Sequence, residues 1–243
     1  MKGWRDRWVA AILIVLLLAI SAGFWLARPH DRPPLALLTA LPIIWGETDV
    51  PGVLQGRSAP SLSYLWLQKR HRVVPLDVLD PAALSPHKLL LIAQPRALAP
   101  TELVALDDWV RAGGHVLILT DPWLGWPSSL AIGDPRRAPT LALLDPLLTH
   151  WGVVLEAPRE GDENEVERVV DGRLLRTTAP GWLRATDSEC LVGEGDLTAT
   201  CTVGEGQALI VADADLLSDA HWRSSRNDAI LAGWLDRVSR KTR

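Results

Sequence analysis

The sequence predicts an α/β fold: a doubly wound, mostly parallel sheet with a β-rich hairpin insertion, preceded by one N-terminal transmembrane helix. Three observations lead there. KLLLIA at 88–93, HVLILT at 115–120 and QALIVA at 207–212 are continuous apolar runs, as strands buried on both faces require. Helical patterns separate such runs, which is the signature of parallel order. Ahead of them all, Trp8 to Ala27 contains no charged residue and is long enough, at about 1.5 Å per residue, to span a bilayer core of roughly 30 Å.

That first segment organises the chain. Lys2, Arg5 and Arg7 precede it, so residues 1–7 are expected in the cytoplasm, 8–27 in the membrane, 28–34 in a proline-containing linker and 35–243 in the periplasm. Ala19-Ile20-Ser21 has the small-residue spacing of a signal-peptide cleavage site, but the apolar run continues past it, which favours an uncleaved anchor. The formal net charge of −4 is unevenly spread: +3 over residues 1–34 and −7 over the rest. An acidic domain offers no basic face for counterion release, which argues against a nucleic-acid partner. The chain has 12 Trp against one Tyr and one Phe, a bias that reads mainly as lineage composition.

Within the outer domain, Leu35–Ile44 reads as the first strand, with Pro42 limiting its ladder. Ser61–His71 reads as a helix, Arg72–Leu79 as a second strand and Lys88–Ala93 as a third. A helix follows from Pro100 to Ala112, its apolar face formed by Leu103, Leu106 and Val110, ended by Gly113-Gly114. His115–Thr120 is the fourth strand. A short helix around 145–151 is expected to have Asp145 as N-cap and Pro146 at its first position. Residues 153–203 form the β-rich insertion, in which Asp171-Gly172 between two β-prone arms signals a hairpin. Gln207–Ala212 restores parallel order, and Asn227–Arg240 closes the chain as a helix.

Cys190 and Cys201 flank a Gly-Glu-Gly-Asp turn, so a hairpin would place the sulfurs on facing strands. A disulfide suits an oxidising compartment; two free buried thiols are the alternative. No C-x-x-C pair or nearby His pair points to a metal there.

Ligands of open α/β sheets bind outside the strand carboxyl ends, which makes Glu47, Gln94, Arg96, Asp121, Trp123, Asp213 and Asp215 the candidate ligand-binding residues. Glu47, Asp121 and Asp213 could serve a metal-assisted hydrolase, and Trp123 with Trp126 a glycan-binding module. The plainer reading makes the carboxylates turn and cap residues. Catalytic motifs are missing: the bend Ala93-Gln94-Pro95-Arg96 has no hydroxyl or thiol, the six histidines never fall at i,i+2 or i,i+4, and no phosphate-binding glycine loop precedes a helix. No catalytic residue, metal or cofactor is therefore assigned.

The runs LLLIAQPRALAPTELVALDDWVRAGGHVLILTDP (89–122), GEGQALIVADADLLSD (204–219) and NDAILAGWLDRVSR (227–240) resemble the GldG-like, ABC-transporter-associated auxiliary family. The shared pattern is a strand, a proline-started helix ending W-x-x-x-G-G, a strand ending in Asp-Pro, a later strand ending in aspartate, and an Asn opening the last helix. The resemblance implies a class I glutamine amidotransferase-like fold, of the flavodoxin-like kind, without its nucleophilic cysteine. It also implies a non-catalytic accessory role, by protein interaction or ligand sensing, with an ABC-transporter permease or another envelope protein as partner.

Overall fold

Five strands run parallel at the centre of the computed structural model, which describes residues 32–47, 50–55 and 59–240. They are β1 (Pro34–Thr39), β2 (Arg72–Pro75), β3 (Leu89–Ala93), β4 (His115–Leu119) and β11 (Gly206–Val211). Two antiparallel strands, β10 (Thr198–Val203) and β9 (Cys190–Val192), extend this into one mixed seven-stranded sheet of order β2-β1-β3-β4-β11-β10-β9. Every residue of β3 is buried, so burial of both faces, not alternation, is what its apolar run encodes. The segment expected to cross the membrane, residues 8–27, and residues 1–7, expected in the cytoplasm, lie outside the described residues. Among those described, no helix is long and apolar enough to cross a membrane.

The helices are α1 (Val50–Leu54), α2 (Leu62–Arg70), α3 (Pro81–Leu84), α4 (Pro100–Arg111), α5 (Asp145–His150), α6 (Asp219–Ser224) and α7 (Asn227–Ser239). The chain leaves β1 toward one sheet edge through α2 and leaves β3 toward the other through α4. Right-handed crossovers therefore place α2 and α4 on opposite faces. α6 packs on α2, with Trp66 and Trp222 meeting edge to face at 5.6 Å, while α7 covers β4 and β11 with Ile230, Leu231, Trp234, Leu235 and Val238 buried. α4 lies close against the sheet's other side: a Cβ on Gly206 would stand 2.1 Å from the Val110 carbonyl.

Three expectations are corrected. β1 stops at Thr39, five residues short of Ile44, because the Thr39 hydroxyl accepts the Leu41 N–H and turns the chain; Leu41 and Ile43 are buried as loop residues. β2 stops at Pro75, four residues short of Leu79. As the edge strand it turns its even-numbered N–H groups to β1, Leu76 still donating to Leu37, so Pro75 falls where no ladder donor is needed. Asp145 does not cap α5: Leu144 is the N-cap without a side-chain bond, and Asp145 is the first helical residue. The insertion is also less separate than expected. β6 (Glu165–Val170) and β7 (Arg173–Thr178) form the Asp171-Gly172 hairpin, and β5 (Val153–Glu156) pairs β8 (Trp182–Ala185). The cysteine hairpin instead joins the main sheet.

Cys190 and Cys201 are paired residues of β9 and β10 and are joined by a disulfide. It pins the last strand of the sheet. We expect Cys190→Ala with Cys201→Ala to lower unfolding free energy by about 3 kcal/mol, the loop-closure value for so short a ring, read from urea denaturation; an unchanged midpoint would show that the bond constrains nothing.

Candidate functional site

The carboxyl ends of β3, β4 and β11 converge on three buried aspartates. Asp121 follows β4, Asp213 follows β11, and Asp215 opens a short 3-10 turn, Asp215–Leu217. One carboxylate oxygen from each lies within 4.8 Å of the others. None of the three is more than 2% exposed. Parallel strands deliver them here because adjacent strand ends stand side by side, in the register that pairs Leu119 with Val211.

Each carboxylate is tied to a different loop. Asp121 Oδ1 accepts the Trp123 N–H at 2.8 Å and Oδ2 the Ala214 N–H at 3.3 Å. Asp213 Oδ1 accepts the Thr177 hydroxyl at 2.7 Å and the Asp215 N–H at 2.9 Å. Asp215 Oδ2 accepts the Gly125 N–H at 2.6 Å. Gly125 is required by this approach, since a Cβ there would meet Thr178 Cγ2 at 2.9 Å and Asp215 Oδ2 at 3.0 Å.

Three ionised carboxylates cannot share so small a dry volume without compensation. Burial first, and then the charges of Asp213 and Asp215, push Asp121 well above the usual carboxylate range. Burial likewise raises Asp213 to about 6, against hydrogen bonds from Thr177 and Asp215 that lower it. Asp215 is pushed up to about 8 by burial and the charge of Asp213. The ionised form of each is therefore disfavoured by the others as well as by burial. Asp213 Oδ2 is buried without a hydrogen-bond partner, which adds to the cost of ionising it.

Gln94 braces the arrangement from β3. Its backbone has φ +38°, an uncommon conformation for a residue with a side chain, and its N–H and carbonyl bond Leu119 and Ala40 respectively. Its side chain accepts the Asp121 N–H at 2.7 Å and donates to the carbonyls of Asp121 and Pro139 at 3.1 and 2.9 Å. The bend after β3 thus holds an amide turned inward.

The remaining sequence-derived candidates fall elsewhere. Arg96 forms a two-armed pair with Glu102 at 2.8 and 2.9 Å, and its bond to the Asp77 carbonyl ties α4 to the end of the neighbouring loop. Glu102, held near 2 chiefly by Arg96, also accepts the Ala99 and Leu79 N–H groups. Trp123 is 63% exposed and meets the triad through its backbone N–H. Glu47 is outside the triad and accepts the Ser129 N–H and hydroxyl at 2.7 and 3.0 Å.

Thr177, Gly125 and Asn227 belong to the site's support without having been singled out in the sequence. Asn227 is buried, accepting the Arg176 N–H at 3.2 Å and donating to the carbonyls of Arg176 and Leu216 at 2.9 and 3.0 Å, so it clamps β7 to the 3-10 turn. Only the Asn opening the last helix carried any sequence signal.

Residues 64–235 match the family described as Domain of unknown function (DUF4350). No curated protein matches. Among solved structures, the mmIFT52 N-terminal domain is 16% identical with a TM-score of 0.54, over 84% of this chain and 97% of that one. Cytoplasmic Protein STM3548 from Salmonella typhimurium is 13% identical with a TM-score of 0.51, over 86% and 100%. Cytoplasmic Protein STM1381 from Salmonella typhimurium LT2 is 13% identical with a TM-score of 0.50, over 75% and 89%. At these identities the likeness concerns the fold alone.

Two outcomes follow from the buried acids. Because Asp213 and Asp215 titrate higher folded than unfolded, their stabilising effect is complete below about 3.8 and is lost as pH rises through about 6 and about 8. Thermal melting should therefore weaken from pH 5 to pH 9 by at least about 1.4 kcal/mol, the worth of one pKa unit. Asp215→Asn, which keeps an oxygen for Gly125 N–H, should flatten that slope and melt higher than wild type at pH 8; a pH-independent wild type would contradict the assignment. Gln94→Leu should cost about 2–4 kcal/mol by stranding the buried Asp121 backbone groups and the Pro139 carbonyl, measurable by urea denaturation.

Proposed function

We propose that this chain, which belongs to the DUF4350 family, is a non-catalytic domain that acts by protein interaction or ligand sensing. In this reading it is displayed in the periplasm by an N-terminal anchor, as an accessory of an envelope system such as an ABC transporter. The observation that carries it is the closure of the strand ends. Gln94 fills the bend where an α/β enzyme would present a nucleophile, and the aspartates beyond it are buried and engaged by backbone donors. Groups held in this way are turned toward the protein's own backbone and buried from solvent. The envelope setting is supported by the uncharged segment 8–27 and by the disulfide, and the transporter connection by the GldG-like resemblance over residues 89–122, 204–219 and 227–240.

One observation favours a second reading, a metal-assisted hydrolase: the aspartate triad has the separations of a divalent-cation site. It would need the protons displaced and a route for substrate through the loop that begins at Pro122.

Purification from membranes in mild detergent separates the first reading from its failure. The expected result is recovery with a permease or another envelope protein; recovery of the chain alone, where known complexes survive, contradicts it. For the second, melting is measured with Mg, Mn, Ca and Zn ions. We expect no stabilisation, whereas a rise of several degrees abolished in Asp121→Asn with Asp213→Asn would establish the metal reading.

A further inference from the structure

A cavity of about 300 Å3 opens beside the carboxyl end of β1, lined among others by Glu47, Ser61, Trp126, Pro127, Ser218 and Asp219. Its place is telling. The chain winds from β1 outward to β2 and then back across to β3, and the reversal point of an open parallel sheet is where ligands of such folds sit. The volume is at the lower end of the range for small-molecule sites.

The lining chemistry narrows the ligand. Trp126, half-buried against the core, and Pro127 supply an apolar wall. The polar groups are two carboxylates and two serine hydroxyls. Both carboxylates are compensated from within the protein. Burial pushes Glu47 up, but hydrogen bonds from Ser128 and Ser129 and the charge of Arg137 hold it below the ordinary carboxylate value. Asp219 Oδ1 accepts the Leu62 N–H at 2.8 Å, and Arg223 stands 3.6 Å from Oδ2.

These facts work against a charged ligand of either sign. An anion would meet two carboxylates, and the first N–H of α2, where a phosphate would dock, is already taken by Asp219. A cation is not needed to neutralise acids that already have donors. What remains is acceptor capacity, since a carboxylate oxygen has two lone pairs, beside an indole side chain. We propose that this cavity binds a neutral sugar of one or two rings, packing a ring face on Trp126 and donating hydroxyls to Glu47 and Asp219. This rests on the ligand-sensing form of the reading above and gives its ligand class.

The test is titration calorimetry on the full chain in an uncharged polyoxyethylene detergent. The probes are glucose, galactose, N-acetylglucosamine and cellobiose, against glucose 6-phosphate and choline. The expected result is saturable heat from at least one neutral sugar, at least tenfold weaker binding of the phosphate ester and none of choline. Glu47→Gln and Asp219→Asn keep their contacts to Ser129 and Leu62 through the amide oxygen, so their melting temperatures should hold. Their sugar affinity should fall five- to tenfold, as a charged acceptor gives way to a neutral one. Trp126→Leu should abolish binding, and Trp126→Phe should restore part of it.

Preference for choline or glucose 6-phosphate, equal sugar binding by the Glu47→Gln and Trp126→Leu variants, or no saturable heat from any of the four sugars overturns the proposal. Such a failure is distinct from failure of the non-catalytic reading, which the co-purification and metal-response experiments decide without any sugar.

Discussion

The burial of three carboxyls beside one another is the constraint on which the carboxyl edge of this sheet depends. Asp121, Asp213 and Asp215 are brought together by strand register, and none is accessible enough for water to solvate its charge. Their environment must therefore keep protons on some of them and aim donors at the rest. The donors come from segments that would otherwise be loose: the start of the loop after β4 through Trp123 and Gly125, the hairpin strand β7 through Thr177, and the turn after β11 through Ala214 and Asp215. A single cluster thus fixes three connections.

The same bracket shapes the open cavity nearby. Gly125 is held by Asp215 and, four residues on, Ser129 is held by Glu47, which leaves Trp126 positioned between two anchored points. The cavity wall is thereby tied to the buried acids through one short stretch of backbone. In the proposed sensing role this gives a physical route by which an occupant of the cavity could bear on the loop and on β7, because both are attached to the same carboxyl group cluster.

Much of the fold was legible because burial on both faces leaves an unbroken apolar run, as in β3, β4 and β11. The strand-end acids were legible for a related reason, since a charged residue after such a run marks where the chain leaves the core. What could not be read was partnership. Thr177 reaches Asp213 across 36 residues and Gly125 reaches Asp215 across 90, and no periodicity links such pairs. LPII at 41–44 misled for the opposite reason: Leu41 and Ile43 are as apolar and buried as strand residues but belong to a turn set by the Thr39 hydroxyl. Arg96, placed at a strand end and so a candidate ligand contact, proved to be the partner of Glu102, a pairing evident only once α4 is folded.

Raised titration of the triad is what this packing of the strand ends requires. Carbon-13 NMR titration of the aspartate side-chain carboxyls, assigned with the Asp215→Asn variant, measures it directly. Asp215 is expected to titrate near 8 and Asp213 near 6, with curves unmoved by added magnesium or manganese. Titration of all three near the ordinary carboxylate value, or a downward displacement of the curves by either metal, would contradict it.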